Sequence, residues 1–401
     1  MHLARLARLR SALAAANLDC AAAIAGPNLY YLTGLSFHLS ERPTVGFFPV
    51  SGDPVIIAGS LEESKIVGGA PYPVRHFVYT DADGPGAAFG EAAKALLLPL
   101  AAHPGRTPSH APSAAGGGAP AKSKGAGAAG PGWGLGVEAR RMRIMELDLI
   151  EEAFVNASIV PAEETFAALR MTKDEMEIGL MRQAVQMAER ALAATLPRIR
   201  AGMTEREAAA ELVVQTLRAG SDAELPFAPI VASGPNSALP HAFVTDRVIQ
   251  RGDLLTLDWG AAARGYFADL TRTFAVGEID PELKKIHRLV QAANAAGKAA
   301  ARPGVACASV DAAARKVIAD GGYGEFFVHR LGHGLGLEGH EEPSMHGRNE
   351  MRLEAGMTFT VEPGIYLPGK GGVRIEDDVV VTADGCESLS TYPRELQIIG
   401  V

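Results

Sequence analysis

Arg251 to Phe274 reads RGDLLTLDWGAAARGYFADLTRTF. Leu254, Leu255, Leu257 and Trp259 mark a strand with buried surface, and Phe267, Leu270 and Phe274 mark its return. Gly260 and Gly265 supply permissive backbone between them, the pattern of a hairpin. Asp258 and Asp269 lie eleven residues apart, so the midpoint between them falls at Ala263-Arg264, in the turn. Regular pairing about that midpoint sets the two carboxylates face to face, with Cβ atoms about 4.5–5.5 Å apart. At an effective dielectric of about 20, two such charges at about 4 Å repel by roughly 4 kcal/mol. Something positive must sit between them.

The arrangement recurs about a hundred residues later. With Gly252 aligned on Gly356, Thr256 falls on Thr360, Asp258 on Glu362 and Gly260 on Gly364. Glu362 and Glu376 bracket Gly369, so this second turn also centres between two acids. Upstream, Gly202 matches Gly304 in similar surroundings. Two repeats, each ending in a hairpin with a carboxylate pair, predict a pseudo-two-fold fold with the site on its axis. Four carboxylates carry the charge that two divalent cations neutralise. Pairing with surface lysines or arginines explains a single acid easily, but four buried at these spacings poorly.

The rest of the composition sets limits. The chain has 401 residues, 47% hydrophobic and 21% charged, and a formal net charge of -8, which argues against a nucleic-acid groove. Cys20, Cys307 and Cys386 are odd in number and lack metal-ligand spacing, so free thiols and a cytoplasmic setting are expected. At the N-terminus Leu3, Leu6, Leu9 and Leu13 form a helical stripe, with Arg5, Arg8 and Arg10 on other faces. Asn17 and Asp19 break the apolar run that a signal peptide needs, and no run reaches the roughly 20 residues that span a bilayer.

Alternating strands and helices predict an α/β domain over 1–160, followed by a second domain over 161–401, with Pro161 the preferred cut between Asn156 and Thr172. Residues 103–132 are low-complexity Gly, Ala, Pro and Ser, too poor in apolar surface to offset their ordering entropy, and a mobile excursion is expected there. A long helix is predicted from about Lys173 to Arg200.

Three of the eleven histidines, His329, His333 and His340, fall in FFVHRLGHGLGLEGHEEPS with Gly332, Gly334, Gly336 and Gly339 interleaved. So many glycines argue for backbone packed closely against something. His241, in SGPNSALPHAF, is a fourth candidate.

These pieces resemble the pita-bread metallopeptidases, in the branch of aminopeptidase P and prolidase (Xaa-Pro dipeptidase). LTLDWGAAARGYFADLTRTF, HRLGHGLGLEGHEEP, FTVEPGIY and GVRIEDDVVVT carry the likeness in the family's order over about residues 170–395, and YYLTGL extends it to the N-terminal domain. The resemblance implies an α+β chain: an N-terminal creatinase-like α/β domain and a C-terminal pita-bread domain. It implies five ligands to two metal ions, Asp258, Asp269, His333, Glu362 and Glu376, with Asp269 and Glu376 shared. Such oxygen-rich donors with one imidazole suit Mn²⁺ or Co²⁺, and Zn²⁺ can also bind. Further implied are Glu362 as proton carrier and His340 and His241 as hydrogen-bond donors to the substrate; Arg374, on the strand face of Glu376, is expected to orient a ligand carboxylate or the substrate terminus, and His329 to stand behind the ligands or on the leaving-group side. The activity implied is hydrolysis of Xaa-Pro bonds in dipeptides or short peptides by a homodimer, with the His38–Pro43 loop reaching the neighbouring subunit. One departure stands out. The position before the last histidine of the motif is usually a β-branched aliphatic in proline-cleaving members and is Gly339 here, so a same-fold peptidase without proline preference is the runner-up. A pita-bread binding module without activity is the reading from another class; such relatives have typically lost ligands that this chain keeps. Methionine aminopeptidases lack the N-terminal domain, and creatinase lacks the intact ligand set.

Overall fold

The computed structural model describes residues 1–97 and 132–400. The low-complexity stretch expected at 103–132 lies, apart from Gly132, outside the described residues. Two compact units are present, Met1–Leu169 and Arg170–Val401. Pro161 ends the Ala157–Pro161 strand and pairs with Val137, so the chain is still within the first sheet there. It leaves that unit only after the helix Glu163–Arg170 begins its last turn.

The first unit is a six-stranded mixed sheet. Its order is Arg75–Tyr79, Val55–Gly59, Val45–Pro49, Cys20–Ile24, Trp133–Val137 and Ala157–Pro161. Three of these strands are buried along their whole length, which is why they read as short apolar runs rather than alternating ones. Helix His2–Ala15 buries Leu6, Leu9 and Leu13 as its stripe requires, whereas Leu3 is exposed. Arg5, on another face of the helix, is buried as well. Its guanidinium lies 4.0 Å above the Tyr31 ring and donates to Tyr31 O at 3.1 Å, so stacking and a carbonyl satisfy it inside.

The second unit repeats one plan twice. Helices Glu175–Thr195 and Glu205–Arg218 precede strands Ile230–Ser233, Leu254–Trp259 and Leu270–Val276. Helices Pro281–Ala300 and Cys307–Asp320 precede Gly332–Gly334, Thr358–Val361 and Asp377–Val381. Gly202 and Gly304, and again Gly252 and Gly356, all have φ between 82° and 96°, the same left-handed corner used at matching points of each half. Asp174 caps the first helix by accepting from the Glu177 amide, which starts it slightly later than the residue pattern implied.

The hairpin register differs from the midpoint reading in an informative way. Tyr266 pairs with Ala263, and Thr271 with Asp258, so the turn centres on Arg264-Gly265. Those two residues have φ of 50° and 78°, as a two-residue turn matching strand twist demands. The register therefore moves by two residues. Thr271, not Asp269, stands opposite Asp258, and Asp269 is the diagonal neighbour. A two-residue shift keeps the face, so both acids still point to one side. The second ribbon centres on Gly369 as its acids suggested, with Gly364 opposite Arg374 and Thr360 opposite Asp378. Glu362 and Glu376 fall opposite one another where that ladder breaks. The ribbons join at a bridge between Thr271 and Glu376.

Candidate metal centre

Four carboxylates and one imidazole converge between the two ribbons. Asp258, Asp269, His333 and Glu376 are each under one-tenth exposed. Oxygens of Asp269 and Glu376 and a ring nitrogen of His333 all lie within 4.8 Å of one another. His333 Nε2 is 3.7 Å from Asp269 Oδ2 and 3.4 Å from Glu362 Oε1. Thus the five residues to which the resemblance assigned metal binding are brought into one cluster.

Each is held from behind. The backbone amide of Asp269 donates to Asp378 Oδ2 at 3.0 Å. The Thr271 hydroxyl donates to Glu376 Oε2 at 2.6 Å, and that of Thr360 to Glu362 Oε1 at 3.3 Å. His333 Nδ1 lies 3.1 Å from Gly334 O, and since a carbonyl only accepts, Nδ1 carries the proton. Nε2 then presents its lone pair to the carboxylates, the orientation a metal-ligating imidazole adopts. The glycines around it are needed for this packing: a Cβ on Gly332 would stand 1.9 Å from Thr360 O, and one on Gly334 2.2 Å from Glu342 O.

The electrostatics are those of an over-crowded anion site. Burial first, then repulsion from Asp258, Asp378 and Glu362, pushes Asp269 well above the carboxylate range. Burial and then Asp269, Glu362 and Asp258 do the same to Glu376. Asp258 is raised by burial despite Arg374, and Glu362 is pushed up to about 7, mainly by burial. Burial also holds His333 well below its ordinary value, so it stays neutral. Arg374 donates to Asp258 Oδ2 at 2.5 Å, and among the described residues Asp258 Oδ1 is buried with no hydrogen-bond partner. A buried carboxylate oxygen without a hydrogen-bond partner beside three more acids is a donor that a divalent cation would satisfy. The residues present fit divalent metal.

Arg374 also donates to Thr271 Oγ1 at 3.1 Å, Pro240 O at 3.1 Å and the Tyr366 hydroxyl at 3.0 Å. Tyr366 is 2.9 Å from His329 Nε2, and His329 Nδ1 donates to Arg330 O at 2.7 Å, so Tyr366 is the donor to His329. Burial pushes His329 down to about 4. His329 is therefore wired to Asp258 through Tyr366 and Arg374. The His340 ring centre lies 4.0 Å from that of His333, and His340 itself is exposed. His241 is exposed too.

Sequence reasoning missed Tyr366, Thr271 and Asp378. The Gly369-centred register already sets Tyr366 diagonal to Arg374, on one face, and the bare Gly364 and Gly372 leave room for its ring. Thr271 and Asp378 carry no such signal, because each matters only once the ribbons meet.

A model of metallopeptidase family M24 matches residues 179–383, and one of the creatinase/prolidase N-terminal domain matches residues 5–98. An uncharacterized peptidase of Bacillus subtilis, YqhT, is 43% identical over 244 residues, which is 61% of this chain and 69% of that protein. A Pyrococcus horikoshii protein named Xaa-Pro dipeptidase is 42% identical over 58% of this chain and 66% of its own length. The crystal structure of a Thermococcus sibiricus prolidase superposes with a TM-score of 0.86 at 30% identity, covering 100% of this chain and 99% of that one.

Proposed function

The chain belongs to metallopeptidase family M24, and from that premise we propose that it hydrolyses Xaa-Pro bonds in dipeptides or short peptides with a pair of divalent ions. The observation that carries this is the cluster of four carboxylates around His333, whose acids are raised first by burial and, at Asp269 and Glu376, by repulsion as well, and whose Asp258 Oδ1 lacks a partner among the described residues. Asp258, Asp269, His333, Glu362 and Glu376 are the proposed ligands. Their oxygen-rich set suits Mn²⁺ or Co²⁺ ahead of Zn²⁺. Such ions, when bound, polarise the scissile carbonyl and make water acidic at neutral pH.

Asp269 and Glu376, whose oxygens lie within 4.8 Å of one another, would be the pair the two ions share. Glu362 Oε1, braced by Thr360, takes a proton from the attacking water and delivers it to the leaving nitrogen. His340 and His241, both exposed, donate hydrogen bonds to the substrate carbonyl and the charge that develops on its oxygen. Arg374 orients Asp258 through its shortest bond and steadies His329 through Tyr366. His329, neutral by burial, is assigned to the leaving-group side.

A second reading keeps the chemistry and drops the proline preference. Gly339, directly before His340, has no atom within 4 Å of where a side chain would begin. That space admits residues other than proline. Turnover of Ala-Pro, Xaa-Pro-Xaa tripeptides and proline-free peptides with added Mn²⁺ decides between the two. Cleavage confined to the proline-free set would overturn the primary reading and leave the second.

The protein is further read as a cytoplasmic homodimer whose His38–Pro43 loop serves the neighbouring subunit. Free Cys20, Cys307 and Cys386 support a reducing setting, and no helix among the described residues is long and apolar enough to cross a membrane. Light scattering that gives a monomer mass would remove the dimer.

A further inference from the structure

The segment that carries His241 has an anchor with no part in the metal cluster. Glu205 opens the helix Glu205–Arg218 and is fully buried. Oε1 accepts from the Ser233 amide and hydroxyl, each at 2.8 Å. Oε2 accepts from the Thr245 amide at 3.2 Å and hydroxyl at 2.5 Å. Asn236 Nδ2 reaches both oxygens, at 3.1 and 3.2 Å.

These donors come from the two ends and the first turn of one loop. Ser233 closes the strand Ile230–Ser233, which pairs with the strand bearing Asp258 and is fixed by it. Thr245 lies in no strand. Between them the chain runs through one short 3-10 turn, Gly234–Ala238, and then presents His241 in irregular backbone. The loop's inner side is tied to the second ribbon by Arg374, which donates to Pro240 O, and by the Gly372 amide, which donates to Ser237 Oγ at 2.9 Å. Its outer end is held by the Glu205 carboxylate together with the Arg206 amide, which donates to Thr245 O at 3.2 Å, and Arg247, which donates to Ser233 Oγ at 2.6 Å. A carboxylate removed from water at a helix start is favoured by the dipole there, but capping the helix needs no such burial, because Thr204 already caps it. The burial is explained by the loop.

We propose that Glu205 is a positioning residue: by clamping Ser233 to Thr245 it fixes where His241 meets the substrate. This rests on the role assigned to His241 above. A purely architectural Glu205 would cost the same whether or not His241 is present, and that difference is measurable.

The test is a double-mutant cycle in kcat/KM for Ala-Pro with Mn²⁺, using Glu205→Gln, His241→Ala and both together. Glu205→Gln is expected to lower kcat/KM by about 10- to 100-fold, the loss that a misplaced group causes. In the His241→Ala background it should cause no further loss. Hydrogen–deuterium exchange of the metal-free protein gives a readout apart from activity. Residues 234–245 should exchange faster in Glu205→Gln, with 254–259 unchanged. If Glu205→Gln does not fold, Thr245→Val keeps the side-chain shape but removes the hydroxyl that donates to Glu205 and accepts from Asn236 Nδ2 and the Arg247 amide, and its loss should likewise vanish without His241. Equal losses in both backgrounds, or unchanged exchange over 234–245, would overturn the proposal alone. A His241→Ala enzyme at full rate would instead refute the role of His241, and this proposal with it.

Discussion

Replacing Asp269 with Asn should stabilise the metal-free protein. The oxygens of Asp269 and Glu376 lie within 4.8 Å of one another, where two unit charges repel by about 3.5 kcal/mol at an effective dielectric near 20. Partial protonation already relieves some of this, because burial and repulsion raise both groups. A gain of about 1–3 kcal/mol at pH 7.5 remains after that relief. The sign with pH follows from the raised folded values. Below the ordinary carboxylate range both states are protonated and the contribution is fully present. As pH rises through the raised folded pKa the buried acids must ionise, and stability is lost. The advantage of Asp269→Asn should therefore grow from pH 5 to pH 7.5. Urea unfolding with EDTA, followed by Trp259 fluorescence in a Trp133→Phe background, reports on the second unit, since these are the two tryptophans. Added Mn²⁺ should then raise the wild-type midpoint, as a ligand selective for the native state does, and leave Asp269→Asn nearly unmoved. A metal-free Asp269→Asn protein less stable than wild type at pH 7.5 would refute the account of crowded charge.

Three further outcomes follow from other parts of the structure. Arg374→Met strips the buried Asp258 of its cation and should cost the metal-free protein about 3–5 kcal/mol by urea unfolding; Arg374→Lys, lacking the guanidinium fork, should rescue only part of the lost kcat/KM. His287 is held at about 4 by burial, against a hydrogen bond to the Thr273 backbone. The stability it contributes as a neutral ring, about 3 kcal/mol, is present above its ordinary pKa and lost as pH falls from about 6.5 to 4, so His287→Gln should flatten the urea midpoint over that range. Gly339→Val enters open space without left-handed backbone, so its unfolding midpoint should hold to within about 0.5 kcal/mol. Its kcat/KM ratio of proline-free to Xaa-Pro dipeptides should fall about tenfold, and an unchanged ratio would show that position 339 does not select substrate.

The acids were legible because carboxylates inside apolar strands are conspicuous, and because two hairpins repeat the pattern a hundred residues apart. Their shared face was legible too, since side-chain alternation survives a register error of two. The error itself came from the turn. Arg264 in left-handed backbone is a conformation its residue type does not advertise. The burial of Arg5 was not legible, because a helical stripe says nothing of an aromatic ring waiting on another face. Thr271, Asp378 and Glu205 stayed hidden for a common reason. Each earns its place by a contact between segments 28 to 109 residues apart, which local periodicity does not encode.

The most direct test is a metal titration of the EDTA-stripped protein, with bound ion and Ala-Pro turnover read from the same samples. The expected result is two equivalents of Mn²⁺ per chain, turnover rising with occupancy, and loss of tight binding in Glu376→Gln. A stripped chain that binds no divalent ion, or one that hydrolyses Ala-Pro equally well in EDTA, would contradict it.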